Sequence, residues 1–265
     1  RARAQVGPRV ARVGGGGLPD DRTYEGTARK GAESLGIAIR PYELDEFAPQ
    51  AAIEAAIHGV NRDENGHGCL LFRPLPSFVD GSHRCELLDP KKDIDGITLA
   101  SLASVFTDGH AGYPPATAAA CIQLLDHYQV PLQGKHVVVV GRSLVVGKPV
   151  SMMLLRRNAS VTICHSKTEN LADIMRSADV VICATGRART FGAQFFGPGQ
   201  TVLDVGINFD TQGNLCGDVD FAEVEPVVAA ITPVPGGIGT VTTSVTMAHT
   251  VAAAEAALAA RTGRR

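Results

Sequence analysis

Hydrophobic positions along this chain fall into short runs separated by stretches of helical spacing. In the second half the runs are β-branched and nearly unbroken, as at His136–Val140, where four valines follow one another. Such runs read as parallel strands buried on both faces. Strands are predicted near 136–140, 160–164, 179–184, 201–205 and 229–232, with helices between most of them. Strand and crossover at this spacing predict a right-handed parallel α/β sheet. An Ala-rich helix is predicted over Thr243–Arg261.

The first half is less regular. Arg9–Val13 reads as strand and Gly14–Gly17 as a flexible loop. Asp20 and Asp21 can cap a helix from about Tyr24 to Leu35, which stops at Gly36. Ile37–Leu44 reads as strand, Pro49–Val60 as amphipathic helix, and Gly68–Phe72 as a strand stopped by Pro74-Leu75-Pro76. A short helix is predicted over Asp80–Leu88, a charged loop over Asp89–Leu99, and a helix over Ala116–Tyr128. The first strand comes almost at once, and an upstream piece is expected.

Composition narrows the class. A 265-residue chain with 45% hydrophobic and 20% charged residues can bury a sizeable core, in one large domain or two modest ones. A net charge of −2 argues against nucleic acid as a partner, and the Arg-rich ends read as solvated termini. No run reaches the ~18 apolar residues of a membrane span. The cysteines (Cys69, Cys85, Cys121, Cys164, Cys183, Cys216) form no C-x-x-C pair and read as buried, reduced thiols of a cytoplasmic protein. The histidines form no ligand-spaced cluster, so no metal site is expected.

Candidate chemistry concentrates after the valine strand. Gly141–Pro149, GRSLVVGKP, places a glycine-bearing turn between strand and helix, a unit that offers backbone N–H groups to a phosphate. Its glycines read G-x-S-x-x-x-G, so the general dinucleotide fingerprint is weak. Gly141 permits a tight turn, Gly147 lets the helix approach the strand, and Ser143 can donate to a phosphate oxygen. After Cys164, His165-Ser166-Lys167 stands where an acid would signal the ribose of NAD. His165 titrates in a useful range but reads as packing or a cofactor contact. Pro233-Val234-Pro235-Gly236-Gly237 is a rigid turn whose glycines let backbone approach a flat ligand. Asp95 sits in the charged loop, where a solvated acid is the plain reading.

These stretches, with Val161–Thr168, Asp204–Asn208, Gly217–Asp220, Ile238-Gly239, Asp89–Gly96 and Pro74–Pro76, resemble the methylenetetrahydrofolate dehydrogenase/cyclohydrolase family from about residue 9 to 257. Their order and spacing together are highly specific, although the family's usual first helix is absent. The resemblance implies a folate-binding α/β domain over 1–116 plus 243–265, to which the C-terminal helix returns. It implies a Rossmann-like NAD(P)-binding domain over 117–242. It also implies a homodimer that serves one-carbon metabolism, purine biosynthesis included. The reaction implied is hydride transfer from the methylene bridge of 5,10-methylenetetrahydrofolate to nicotinamide, and many members of the family also hydrolyse the methenyl product. The implied catalytic residues are Tyr24 and Asp95. Substrate contacts are Tyr24, Asp95, whose carboxylate would hold the pterin, and Pro235, Gly236 and Gly237. Cofactor contacts are Gly141, Arg142, Ser143, Gly147, His165, Ser166, Ile207, Gly237 and Thr242. Arg142 and Ser166 match positions that meet the 2′-phosphate in NADP-using relatives, with Lys167 adding charge. The resemblance favours NADP, with NAD the alternative.

The departures matter as much. Bifunctional members carry a Tyr and, four residues on, a Lys; here Tyr24 is followed at that spacing by Ala28. Lys30 lies about 200° and Arg29 about 100° around the helix axis from position 28. The family's V-Q-L-P-L-P reads Leu71-Phe72-Arg73-Pro74-Leu75-Pro76, with Phe72 in place of the Gln that tunes the Lys. Strand alternation turns Arg73 to the opposite face. Hydride transfer is mainly positioning, whereas hydrolysis needs a tuned acid/base. The sequence therefore predicts a dehydrogenase with weak or absent cyclohydrolase activity. The alternatives are a bifunctional enzyme with a substitute base and a catalytically silent binder. Ala116 and Thr240 replace a family Cys and Pro; the second change predicts a looser glycine loop.

Overall fold

The computed structural model describes residues 7–15, 31–44, 48–71 and 85–263. The chain divides into two compact units, Arg1–Ala116 with Thr243–Arg265, and Thr117–Thr242.

In the first unit, β1 (Arg9–Gly15) lies between β2 (Ala38–Leu44) and β3 (Gly68–Leu71), all parallel. Gly14 and Gly15 pair with Glu43 and Leu44 and so extend the strand where a loop was expected. Ladder bonds use backbone alone, and a side-chain reading of glycine misses them. Helix α1 (Gln50–Arg62) buries Ile53, Ile57 and Val60, spaced along one face, against a cluster that includes Val13, Leu71 and Leu88. Residues 31–34 are helical and the chain turns at Gly36 with φ 69°. Tyr24, Ala28, Arg29, Lys30, Phe72, Arg73, Pro74–Pro76 and residues 80–84 lie outside the described residues.

The charged loop after Leu88 is more structured than expected. It holds a 3₁₀ turn at Pro90–Lys92 and leads into α2 (Leu99–Thr107). Thr98 caps this helix, its hydroxyl accepting from the Ser101 N–H. That signal is a lone Thr inside a charged stretch, which hides the helix start.

In the second unit, α3 (Ala116–His127), of which only Ala116 belongs to the first unit, leads into β4 (His136–Val140). There follow α4 (Gly147–Leu155), β5 (Ser160–Cys164), α5 (Leu171–Arg176), β6 (Val180–Cys183), β7 (Thr201–Asp204), the hairpin β8 (Asn208–Phe209) and β9 (Leu215–Cys216), α6 (Phe221–Val224) and β10 (Ala230–Ile231). The five long-sheet strands are parallel in the order β10-β7-β6-β4-β5. Val138, Val140, Val181, Cys183 and Val202 fill one face of that sheet. Strand order reverses between β4 and β6, the switch point where open α/β sheets bind ligands beyond the carboxyl ends of their strands.

The last helix, α7 (Ile238–Thr262), starts five residues earlier than predicted, because Gly239 and Thr240 fit its first turn. The Thr240 N–H donates to the Gly237 carbonyl at 3.1 Å, a bond proline could not make. Thr240 thus makes one tie to the glycine loop in the place of the family's proline. All six cysteines are buried and free. No helix among the described residues is long and apolar enough to cross a membrane.

Candidate functional site

The turn after β4 stands at the switch point. Gly141 takes φ 134°, and a Cβ there would lie 2.2 Å from the Ala184 carbonyl oxygen at the end of β6. Only glycine lets these two strand ends meet. A Cβ on Gly147 would lie 2.1 Å from the Gly141 carbonyl oxygen. Gly147 opens α4 and Gly141 directly follows β4, so the missing side chain lets the helix start close against the strand end, as expected. The Ser143 hydroxyl accepts from the Val146 and Gly147 N–H groups at 3.1 and 3.5 Å. Its own proton stays available to an anion before the first turn of α4. Arg142 and Ser143 are exposed. The two glycines permit backbone contacts that a Cβ would block, and the exposed donors beside them suit a dinucleotide phosphate.

Beside the turn, the Gly141 N–H donates to the Cys164 carbonyl at 2.9 Å, which ties the end of β4 to that of β5. His165 Nδ1 accepts the Lys167 N–H at 3.2 Å, and the His165 N–H donates to Thr168 Oγ1 at 2.9 Å. The imidazole therefore helps shape its own loop, while Ser166 and Lys167 are exposed at the strand end. Ile207 is exposed, and a Cβ on Gly239 would come within 3.9 Å of it. Thr242 is buried, its hydroxyl donating to the Ile238 carbonyl at 3.0 Å. Pro235 and Gly236 are exposed in the turn after β10, and Gly237 is buried. A cavity of about 940 Å³ in this unit is lined by the end of α3, β7, β10 and Pro233, Gly236 and Gly237. Gly141, Arg142, Ser143, His165 and Ser166 do not line it.

Two buried carboxylates underlie this end of the sheet and were not singled out from sequence. Asp218 accepts from the Thr185, Gly186 and Arg187 N–H groups at 2.5, 3.3 and 2.8 Å, from Thr185 Oγ1 at 3.0 Å and from Asn208 Nδ2 at 3.0 Å. Asp204 accepts from the Gly206, Asp218 and Val219 N–H groups at 3.0, 2.9 and 2.9 Å. Their sequence signal was Asp-Val-Gly and Gly-Asp-Val, acids in apolar company that need backbone donors once buried.

Burial pushes the Asp204 carboxyl up from the usual 3.8 to about 6; its three N–H donors oppose this and the Asp218 charge adds to it. A raised folded pKa makes its stabilisation full below about 3.8 and lost as pH rises through 6. This group should therefore add about 1 kcal/mol at pH 5 relative to pH 8. His67 and His249, lowered by burial, act in the opposite sense in that window. Comparing Asp204→Asn with the parent by urea unfolding at both pH values cancels them. The gap should widen toward pH 5, and a constant gap would refute the assignment.

In the first unit, Asp95 is half-buried in the loop between the 3₁₀ turn and α2. Its carbonyl accepts the Ala116 N–H at 3.2 Å. The neighbouring Asp93 is fully buried and accepts from the Ile97 and Thr98 N–H groups, Thr98 Oγ1 and Ser101 Oγ at 2.6–3.0 Å. Lys92 Nζ donates to the carbonyls of Val60, Asn61 and Asp63 at 2.6, 3.1 and 2.7 Å, capping the end of α1. The loop is thus anchored on both sides of its half-exposed acid.

Comparison with known proteins bears on what these parts serve. The tetrahydrofolate dehydrogenase/cyclohydrolase catalytic-domain pattern matches residues 1–95, and the NAD(P)-binding-domain pattern of the same family matches residues 115–258. The chain belongs to this family. The Bifunctional protein FolD of Carboxydothermus hydrogenoformans is 47% identical over 250 residues, covering 94% of this chain and 87% of that protein. The crystal structure of the FolD methylenetetrahydrofolate dehydrogenase/cyclohydrolase from Campylobacter jejuni superposes with a TM-score of 0.90 at 35% identity, covering 94% of this chain and 88% of that one. The Trypanosoma brucei dehydrogenase-cyclohydrolase, solved with NADP and an inhibitor, has a TM-score of 0.90 at 32% identity, covering 95% and 88%. As a tetrahydrofolate dehydrogenase/cyclohydrolase family member, the chain has the mixed α/β, two-unit architecture of these enzymes.

Proposed function

We propose that this protein oxidises 5,10-methylenetetrahydrofolate to 5,10-methenyltetrahydrofolate with NADP, NAD being the alternative acceptor, and that it has little or no cyclohydrolase activity. The observation that carries the second part is Ala28 with Phe72 in place of the family's Lys and Gln. An Ala and a Phe can line a folate site but cannot move protons for hydrolysis. NADP, when bound, supplies the hydride acceptor. The chain's residues supply position: the turn shaped by Gly141 and Gly147 would hold the pyrophosphate, Ser143 would donate to it, Arg142 and Ser166 would hold the 2′-phosphate with His165 next to Ser166, and Ile207, after β7, would contact the cofactor elsewhere. Asp95 accepts from the pterin amino group and ring N–H, Tyr24 holds the folate, and the Pro235–Gly237 backbone lies against the flat rings. A cytoplasmic setting is supported by six buried free thiols. A homodimer is proposed too, checked by light scattering.

The bifunctional naming of the 47%-identical relative favours a second reading, in which Lys30 or Arg29 replaces the missing Lys. One assay separates them. Purified protein is given methylenetetrahydrofolate and NADP, then NAD, while reduced cofactor and methenyl product are followed separately. Methenyltetrahydrofolate alone is then compared with its spontaneous hydrolysis in the same buffer. Cofactor reduction with accumulating methenyl product and no faster hydrolysis is expected. Accelerated hydrolysis would overturn the loss and leave the bifunctional reading. No reduction of either nucleotide would overturn both and leave a silent binder.

A further inference from the structure

His249, on the C-terminal helix, reaches the loop that carries Asp95. Its Nδ1 lies 2.9 Å from the carbonyl oxygen of Ile94, the residue just before Asp95. A carbonyl only accepts, so Nδ1 carries the proton. The imidazole stacks on Tyr113, with ring centroids 4.9 Å apart and planes 29° apart. Tyr113 leads directly into Pro114 and Pro115, against which Gly96 packs so closely that a Cβ there would lie 2.4 Å from the Pro115 nitrogen. Ile94 is fully buried and shares a core cluster with Met247, two residues before His249 on α7. The segment Ile94–Gly96 is therefore gripped on one side by the Asp93 hydrogen bonds and on the other by a side chain more than 150 residues away in sequence.

We infer that His249 is a positioning residue for the folate substrate: by holding the Ile94 carbonyl, it sets the direction of Asp95. This inference rests on the reading that Asp95 binds the pterin. It separates two features of one ring, the donor and the stack. His249→Phe keeps a ring against Tyr113 but removes the donor, leaving a buried carbonyl without its bond. His249→Asn keeps an N–H donor and loses the ring.

The test measures dehydrogenase kinetics and, by calorimetry, the affinity for tetrahydrofolate, with the thermal midpoint of each variant recorded. His249→Phe should raise the KM for methylenetetrahydrofolate and weaken tetrahydrofolate binding by about tenfold, with the KM for NADP within about twofold of the parent. His249→Asn should restore both folate values to within about threefold. A ring that serves only to pack predicts the reverse, with the Asn variant impaired and the Phe variant normal, and that result would overturn the inference. Equal loss for folate and NADP, or an unchanged folate KM in both variants, would overturn it too. Asp95→Ala is run alongside. If it weakens folate binding while His249→Phe does not, the His249 inference alone fails; if it leaves folate binding intact, the reading of Asp95 fails and the inference with it.

Discussion

Replacing Asp218 by Ala should lower the thermal midpoint of the protein by about 10 °C, the equivalent of about 2.5 kcal/mol in a unit of this size. No other described carboxylate at this end of the sheet accepts as many bonds: three backbone N–H groups, the Thr185 hydroxyl and the Asn208 amide all converge on it, fully buried. Removing the acceptor takes one shared partner from several half-buried donors at once, and each group left unsatisfied costs about 1–3 kcal/mol before relaxation and solvation. The neighbouring Asp204 offers no rescue, because its oxygens already hold the Gly206, Asp218 and Val219 N–H groups. The segment 185–187 follows β6, whose end meets Gly141, so the KM for NADP should also rise in any protein that still folds. Asp218→Asn, which keeps one acceptor oxygen, should lose less than half as much. A midpoint within about 2 °C of the parent for Asp218→Ala would show that the loop has another support.

The larger effect on chemistry is expected from restoring what the sequence has lost. Ala28→Lys together with Phe72→Gln should raise methenyltetrahydrofolate hydrolysis by about 10²-fold or more over the parent, the scale of a positioned acid/base. Each single change should do little, since an untuned Lys or a Gln without its Lys supplies half of a coupled pair. Dehydrogenase activity should stay, because hydride transfer depends on alignment rather than on this pair. The outcome is read as acceleration over the buffer rate. A double variant no faster than the parent would mean that loss of hydrolysis, if observed, has another cause.

How far the sequence leads differs between the two units. The valine run of β4 and the GRSLVVGKP turn were legible because burial on both faces leaves an unbroken β-branched signature and glycine marks the turn. The five strands of the long sheet agree with prediction to within a residue or two, whereas the short hairpin β8–β9 was not predicted. Other features were hidden for identifiable reasons. Gly14 and Gly15 extend β1 through backbone pairing, which composition cannot show. The α2 start depends on Thr98 alone, and α7 starts among glycines that read as loop. Asp204 and Asp218 stood only within stretches that carry the resemblance, and their role shows once the fold surrounds them with N–H groups. His249 had no legible role, since its partner carbonyl lies 155 residues away.

The placement of Met247 in a cluster with Val10, Ile37, Leu70 and Ile94 has a consequence for biosynthesis. Thr117–Thr242 is a continuous stretch and can fold as it leaves the ribosome. The unit around β1 is interrupted in sequence by that stretch, and it lacks part of its apolar interior until the final helix emerges. Its three parallel strands must wait, incompletely covered, through most of translation. Loss of the last twenty residues or so would therefore leave the nucleotide-binding piece able to form while the piece bearing Asp95 stays open to chaperones and proteases.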